Sequence, residues 1–494
     1  MDSSSCFISL DVGTTSVKVA LFDRFGTMLG TALEEYKLDT PAEDIVELDP
    51  EKYWQCCRRG IRRVVEQSRV EPGTIRSIAA CTQGETLIVL DREGNPLRRA
   101  IVWMDNRSKQ EADEIKAHLG HNRNTGQVDI FPTWPITKIL WLKKNEPAVY
   151  REVDKYLLVE DYILFRLSGQ VRGEYSLYTS SYMLDIVRKD WWQEILDFVG
   201  VNREQLPELC EPGEIIGTVD PAVGQDLGLN PETLVVTGTM DQTAAMIGAG
   251  NITDGVVTET TGAALVMCET IDAYPTVPSS NLAVQYHAIP GKFFLIGWCP
   301  AGGMTLKWFR DNFYDGEGAD YNSMTAAAAN VPPGSQGLFF FPYMAGPGTL
   351  NIDPNLRGVF YGLELHHTRT HFVRAILEGI GFSLRENLQN IEEMGTSAKE
   401  ILSLGGGARS ALWNQIKADI TGKRITTMKC SETAALGVAV LQACATATYP
   451  DAETAVEQMV RPAQVVDPIP ENVALYEKAY QKYIQIEREQ LGKR

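Results

Sequence analysis

Residues Asp11-Val12-Gly13-Thr14-Thr15-Ser16-Val17-Lys18 bring a carboxylate, a glycine, three hydroxyls and an amine into one short stretch between two apolar runs. A glycine followed by hydroxyl residues makes a tight turn, and the backbone N–H groups of such a turn converge on phosphate oxygens. Gly13, Thr14, Thr15, Ser16 and Lys18 are therefore candidates for holding phosphate. Asp11, at the strand end, is a candidate for a hydrated Mg²⁺. The same residues also suit an ordinary hairpin in which glycine supplies positive φ, and both readings stay open at this point. The stretch is neither a P-loop nor a GxGxxG dinucleotide turn.

A second stretch, Leu402-Ser403-Leu404, runs into Gly405-Gly406-Gly407-Ala408-Arg409-Ser410, with Ser410 opening a helix that carries Leu412, Ile416 and Ile420. Bare backbone at the carboxyl end of a strand lets a flat base or an α-phosphate approach closely. A tight strand-to-helix connection needs fewer glycines than these three, which favours nucleotide binding. Asp241, in Gly238-Thr239-Met240-Asp241-Gln242, reads by itself as the N-cap of a helix over Thr243 to Ile247.

Such residues need strands and helices to hold them. Apolar Phe7 to Leu10, the glycine turn, Val19 to Phe22 and the turn at Arg24-Phe25-Gly26 predict an antiparallel meander. Asp49-Pro50 followed by Tyr53, Cys57, Ile61 and Val64 predicts a helix. Ser77 to Cys81 and Leu87 to Leu90 read as strands, which leaves Thr82 to Glu85 between them, where site residues often sit. Leu234 to Thr237 reads as another strand. Asp254-Gly255 is a hairpin signal, and Thr258, Thr260, Thr261 and Gly262 beyond it echo the first glycine-hydroxyl turn. Two related halves that meet near residue 250 are expected. The second half has its own long helix, capped by Thr370, with Phe372, Ile376, Ile380, Leu384, Leu388 and Ile391 on one face.

Composition sets outer bounds. A chain of 494 residues, 44% hydrophobic and 22% charged, exceeds what one core normally organises, so two domains are expected. No apolar run approaches the roughly 18 residues of a membrane span, and the first residues lack a secretory layout, which predicts a cytoplasmic protein without a membrane partner. The nine cysteines include no CxxC pair and read as reduced, buried thiols. A net charge of -18 argues against nucleic acid, so any phosphate must be held by local geometry. His366, His367 and His371 lack an HExxH arrangement, and no structural zinc is expected.

These features together resemble the FGGY family of carbohydrate kinases. Pro135-Ile136-Thr137-Lys138-Ile139-Leu140-Trp141-Leu142 resembles the N-domain signature of that family. Gly358-Val359-Phe360-Tyr361-Gly362-Leu363, continuing through His371, Ala375 and Glu378, resembles its C-domain signature. The resemblance implies an α/β fold of two actin-like (ribonuclease-H-like) domains with a central cleft that closes to exclude water. Residues 1–250 would bind the acceptor sugar and residues 251–494 would bind ATP. It further implies ATP and Mg²⁺ as cofactors, a small sugar or polyol as partner, and it leaves room for a homodimer.

Carried over position by position, the resemblance makes Asp241 the catalytic base, with Gln242 beside it binding the acceptor. It sets the acceptor pocket at Thr82-Gln83-Gly84-Glu85-Thr86 and Trp103-Met104-Asp105-Asn106-Arg107. Gln83, Glu85 and Asp105 would meet vicinal hydroxyls, and Trp103 would offer an apolar face. Without the resemblance, Trp103 reads as core beside Ile101, and Asp105 with Arg107 as an exposed ion pair. Thr260, Thr261, Gly302, Gly406, Gly407 and Asn414 join the first turn as nucleotide-binding residues.

Two positions depart from the family pattern. Glycerol kinases carry Asn-Gln-Arg-Glu-Thr where this chain has Thr82, Gln83, Gly84, Glu85 and Thr86, while xylulose kinases carry Gln-Met-His-Gly. Glycine in place of the arginine leaves room for a longer acceptor, a ketopentose such as xylulose, with glycerol, a tetritol or another pentulose as alternatives. Glu259 stands where relatives usually have glycine, and a carboxylate there must face away from phosphate. A rival class, an actin-like or chaperone-like ATPase without a sugar, would need a polymerisation or peptide-binding segment, and the sequence offers none.

Overall fold

Strand β1 (Cys6–Val12) is buried along its length except at Asp11, which is partly open. The computed structural model describes residues 5–275, 282–314, 319–346, 348–349 and 355–492. β1 pairs antiparallel with β2 (Ser16–Asp23), and β2 with β3 (Met28–Glu35), forming the expected meander. The hairpin between β1 and β2 closes on the Gly13 amide, which donates to Ser16 O at 3.0 Å. On its other side β1 runs parallel to β4 (Ile75–Thr82). β5 (Ile215–Thr218), β6 (Leu234–Val236) and β7 (Thr239–Met240) complete a seven-stranded sheet in the order β5-β6-β4-β1-β2-β3, with β7 alongside β4.

Helix α1 (Pro50–Ser68) starts where Asp49 accepts the Glu51 amide at 3.0 Å, and it buries Tyr53, Cys57, Ile61 and Val64. α2 (Pro135–Asn145) is buried from Pro135 to Leu140 and exposed over its last turn, and α3 (Asp241–Ala249) begins directly after β7.

The second sheet repeats this plan. β8 (Val256–Thr261) pairs antiparallel with β9 (Leu265–Ile271) and parallel with β11 (Glu400–Leu404), while β10 (Phe293–Cys299) lies beyond β9. β12 (Arg424–Met428) continues parallel, and β13 (Pro462–Val466) closes the edge antiparallel. Six strands of this seven-stranded sheet, in the order β10-β9-β8-β11-β12-β13, therefore match a meander followed by parallel strands, as in the first sheet.

Around this sheet stand α4 (Gly303–Phe313), α5 (Tyr321–Ala328), α6 (Arg369–Glu392) and α7 (Ala411–Thr421). α6 starts two residues earlier than its apolar period suggested. Thr368, not Thr370, precedes it, because His371 Nδ1 accepts the Thr368 amide at 3.1 Å and satisfies the helix entry.

The chain divides into two compact units, Met1–Ile252 with Val284–Phe293 and Glu432–Val460, and Thr253–Ala283 with Phe294–Ser431 and Arg461–Arg494. α8 (Thr433–Ala445) thus belongs with the first unit. Its Gln442 donates to Ile8 O at 3.0 Å and accepts from Ser77 Oγ at 2.8 Å, which fastens it to β1 and β4. Gly248 of α3 and Gly437 of α8 lie backbone to backbone, since a Cβ on Gly437 would sit 1.9 Å from Ala244 O. That close approach fixes α3, and with it Asp241.

Candidate active site

Three strand ends of the first unit carry the acidic residues of the site. Asp11 stands one residue before the end of β1, opposite Lys18 and Cys81, Glu85 follows β4, and Asp241 follows β7. Asp241 is the first residue of α3, while Met240 occupies the cap position. Its carboxylate therefore accepts only the neighbouring Gln242 amide, at 2.6 Å, among the described residues. Burial, then the Asp11 charge and the Glu85 charge, push the Asp241 carboxyl up to about 7. Burial likewise raises Asp11 to about 6, with Lys18 opposing the shift.

The glycine-hydroxyl turn stands next to Asp11. Thr15 is exposed, Gly13, Thr14 and Ser16 are half-buried, and Lys18 Nζ donates to Glu432 at 2.8 Å. The Thr14 hydroxyl accepts the Trp103 indole N–H at 2.9 Å, and Trp103 is half-buried, with its amide donating to Thr86 Oγ1 at 3.0 Å.

Gln83 is almost wholly buried. Its Nε2 donates to Tyr53 Oη at 2.8 Å, and its Oε1 finds no donor among the described residues. A buried acceptor without a partner is costly, which marks it as available to a ligand hydroxyl. Asp105 behaves differently. It is fully enclosed, with Oδ1 accepting the Arg107 Nε at 2.8 Å and Oδ2 accepting the Val46 amide at 2.7 Å. The Asp105 and Arg107 pair is an internal clamp on the loop after Trp103, not an exposed ion pair.

Lys138 was legible only as one letter of a signature, yet it braces the loop after β4 and the segment before Trp103. Its side chain is fully buried in α2, and Nζ donates to Glu85 O at 2.8 Å and Val102 O at 3.1 Å. Burial lowers its pKa and raises that of Glu85, each partner offsetting the other. A lysine set among Ile136, Thr137, Ile139 and Leu140 is the signal that could have found it.

In the second unit a cavity of about 670 Å³ opens between the turn after β8, the start of α4, α5 and the glycine turn after β11. Thr261, Gly406 and Gly407 line it, and Gly302 stands just before α4, its amide donating to Ala263 O at 2.9 Å. Thr260 is half-buried on the other face of β8 and does not line the cavity. Asn414 is fully buried beneath the turn, with Nδ2 donating to Ala408 O at 2.8 Å, so it supports the turn without lining the cavity. Met304, Lys307, Tyr321 and Trp413 also line it, and nothing in their local sequence pointed to them.

Gly405 has φ of +75°, and a Cβ at Gly407 would lie 2.6 Å from Thr261 Cβ, so glycine is required for the turn to lie against β8. Glu259 does not line the cavity. It is fully buried, and its carboxylate accepts Lys417 Nζ at 2.6 Å and Thr261 Oγ1 at 2.7 Å.

A strand-end acid cluster in the first unit, glycine turns and a cavity of about 670 Å³ in the second, on repeated sheets, define a phosphotransferase of the actin-like class. The FGGY family of carbohydrate kinases matches through its N-terminal domain at residues 6–248 and its C-terminal domain at residues 256–446, and the chain belongs to this family. It is an ATP-using sugar kinase. A xylulose kinase of Lactococcus lactis is 32% identical, covering 97% of this chain and 96% of that protein. A gluconokinase of Bacillus subtilis is 30% identical, covering 98% of this chain and 96% of that protein. The crystal structure of a ligand-bound xylulose kinase from Lactobacillus acidophilus superposes with a TM-score of 0.91 at 26% identity, covering 99% of each chain.

Proposed function

We propose that the chain phosphorylates a neutral ketopentose such as xylulose, with Asp241 as the base. The observation that carries this reading is the Asp241 carboxylate, held at a strand end with a single internal donor and a pKa of about 7. A base poised there is ionised in a substantial fraction of molecules at neutral pH and is basic enough to take a hydroxyl proton. The acceptor hydroxyl attacks the γ-phosphorus, the bond to the departing ADP oxygen breaks, and the hydroxyl proton passes to Asp241.

Gln83 Oε1, buried without a partner, takes a further acceptor hydroxyl, and Trp103 covers the carbon skeleton. Asp11 and Glu85 add negative charge next to Asp241, which disfavours an aldonate carboxylate and favours a neutral sugar. That electrostatic argument supports the xylulose reading over the gluconate one.

The cavity of the second unit receives the nucleotide, with bare backbone at Gly406 and Gly407 against it. Asp11, a partly open hard oxygen donor at a strand end, fits Mg²⁺ held through water and phosphate oxygens, and the ion would supply charge neutralisation on the phosphates. No helix of the described residues is long and apolar enough to cross a membrane. The ATP supply that the reaction needs assigns it to the cytoplasm in this reading.

ADP release measured across xylulose, ribulose, gluconate, erythritol and glycerol tests the proposal. The highest kcat/KM is expected for a ketopentose and the lowest for gluconate. A preference for gluconate would overturn the electrostatic argument, and a preference for glycerol the argument from Gly84.

A further inference from the structure

Glu259 precedes Thr260 and Thr261 on β8, and its charge is answered from another element. Lys417 of α7 is fully buried, as is Glu259, with Nζ 2.6 Å from Glu259 Oε1 and 2.9 Å from Thr261 Oγ1. Thr261 Oγ1 donates in turn to Glu259 Oε2 at 2.7 Å, and the Ser403 hydroxyl donates to Glu259 Oε1. Ser403 Oγ also lies 3.4 Å from Asn414 Oδ1, and Asn414 Nδ2 holds Ala408 O at 2.8 Å. One polar chain therefore reaches both walls of the nucleotide cavity, Thr261 on one side and the glycine turn on the other.

The packing leaves this chain little slack. Thr261 is the surface on which the glycine turn rests, since a Cβ on Gly405 would be 2.9 Å from Thr261 O and one on Gly407 2.6 Å from Thr261 Cβ. Rotating the Thr261 side chain would push against Gly407, and both hydroxyl contacts of Thr261 hold it in place. A lone buried charge is far costlier than a paired one, so neither Glu259 nor Lys417 is tolerable without the other.

We propose that Glu259 and Lys417 are a mutually dependent positioning pair that sets the spacing between the β8 turn and the glycine turn, and so the affinity for the nucleotide. This rests on the cavity being the nucleotide site. Thr261 then meets the nucleotide through its backbone, because its hydroxyl is held inward by Lys417 and Glu259.

The test compares E259Q, K417M and the double variant E259Q/K417M in the full chain, measuring KM for ATP, KM for the acceptor and ADP binding by calorimetry. Each single variant is expected to raise the ATP KM about tenfold, while the acceptor KM stays within about twofold. The double variant keeps a hydrogen-bonding amide for Thr261 and Ser403 and an apolar stem for α7, and it is expected within about threefold of wild type. S403A, a milder change, covers the case in which a single charge variant does not fold, and it should raise the ATP KM alone.

Purely additive losses, equal changes in both KM values, or an S403A protein with unaltered ATP KM would overturn the pair's role. G406V serves as the control for the site itself. If G406V weakens ADP binding while the charge variants do not, the positioning role alone falls. If G406V leaves ADP binding unchanged, the nucleotide assignment falls and the inference with it.

Discussion

The Trp103 indole donates to the Thr14 hydroxyl at 2.9 Å, so the wall assigned to the sugar skeleton is tied to the turn assigned to phosphate. W103F keeps an apolar ring and removes this donor. It should raise the acceptor KM about threefold to tenfold and lower stability by about 1 kcal/mol, the worth of one internal hydrogen bond. Steady-state kinetics with denaturant unfolding check both numbers, and a variant unchanged in each would show the tie to be idle.

D241N should lower kcat by about 10²- to 10⁴-fold, the usual contribution of a general base, while ADP binding is retained. For the wild type, kcat/KM should fall as pH drops below about 7, because protonated Asp241 cannot accept the hydroxyl proton. Stability runs the other way. The folded pKa lies above the ordinary carboxylate value, so the folded state binds the proton more tightly and loses stability as pH rises from about 4 through 7. D241N escapes that loss, and its Tm should exceed the wild-type Tm at pH 8 and lose the advantage toward pH 4. An asparagine variant less stable at pH 8 would contradict the raised carboxyl.

Gly406 and Gly407 should respond differently to side chains. A Cβ on Gly406 would have only Thr261 O within reach, at 3.9 Å, and would project beside the cavity that this residue lines. G406V should therefore weaken nucleotide binding with little change in Tm. A Cβ on Gly407 meets Thr261 Cβ at 2.6 Å, so G407A should cost about 1–3 kcal/mol of stability as well as affinity. Thermal unfolding alongside ADP titration separates the two, and equal Tm losses would place Gly406 against protein and not against ligand.

Gly84 is buried, and a Cβ there would lie 3.4 Å from Ser180 Cβ and 3.9 Å from Met240 Sδ, ordinary contacts. G84A should be near wild type in stability and selectivity. G84R must carry a long side chain past Ser180 and should lower kcat/KM for the ketopentose about tenfold or more, with glycerol level or improved. Specificity constants for both acceptors decide it, and a wild type that already prefers glycerol would remove the premise.

Local patterns read well because they depend on near neighbours. The meander from Phe7 to Phe22, the helix opened by Asp49-Pro50 and the strand running into Gly405 follow from period-2 and 3.6-residue spacing and from turn chemistry. The α6 face through Ile376, Ile380, Leu384, Leu388 and Ile391 is buried as its spacing demands, although its start lies at Thr368, where a histidine side chain and not the apolar period sets the entry. Asp105 and Arg107 look like a surface pair in sequence, because only the fold brings the Val46 amide and Glu47 to them.

The sequence alone determined the first meander, the acidic strand ends, the glycine turns and the family, since each is written in residues close together along the chain. Tertiary structure decided what those residues do to one another. Glu259 and Lys417 are 158 positions apart, and Gln442 reaches Ile8 across 434. Neither residue type carries a mark of its partner, because a buried charge is tolerable only with a counter-charge that packing, not spacing, delivers. For the same reason the raised carboxyl of Asp241 belongs to no motif; it arises only when folding removes water and brings Asp11 and Glu85 near.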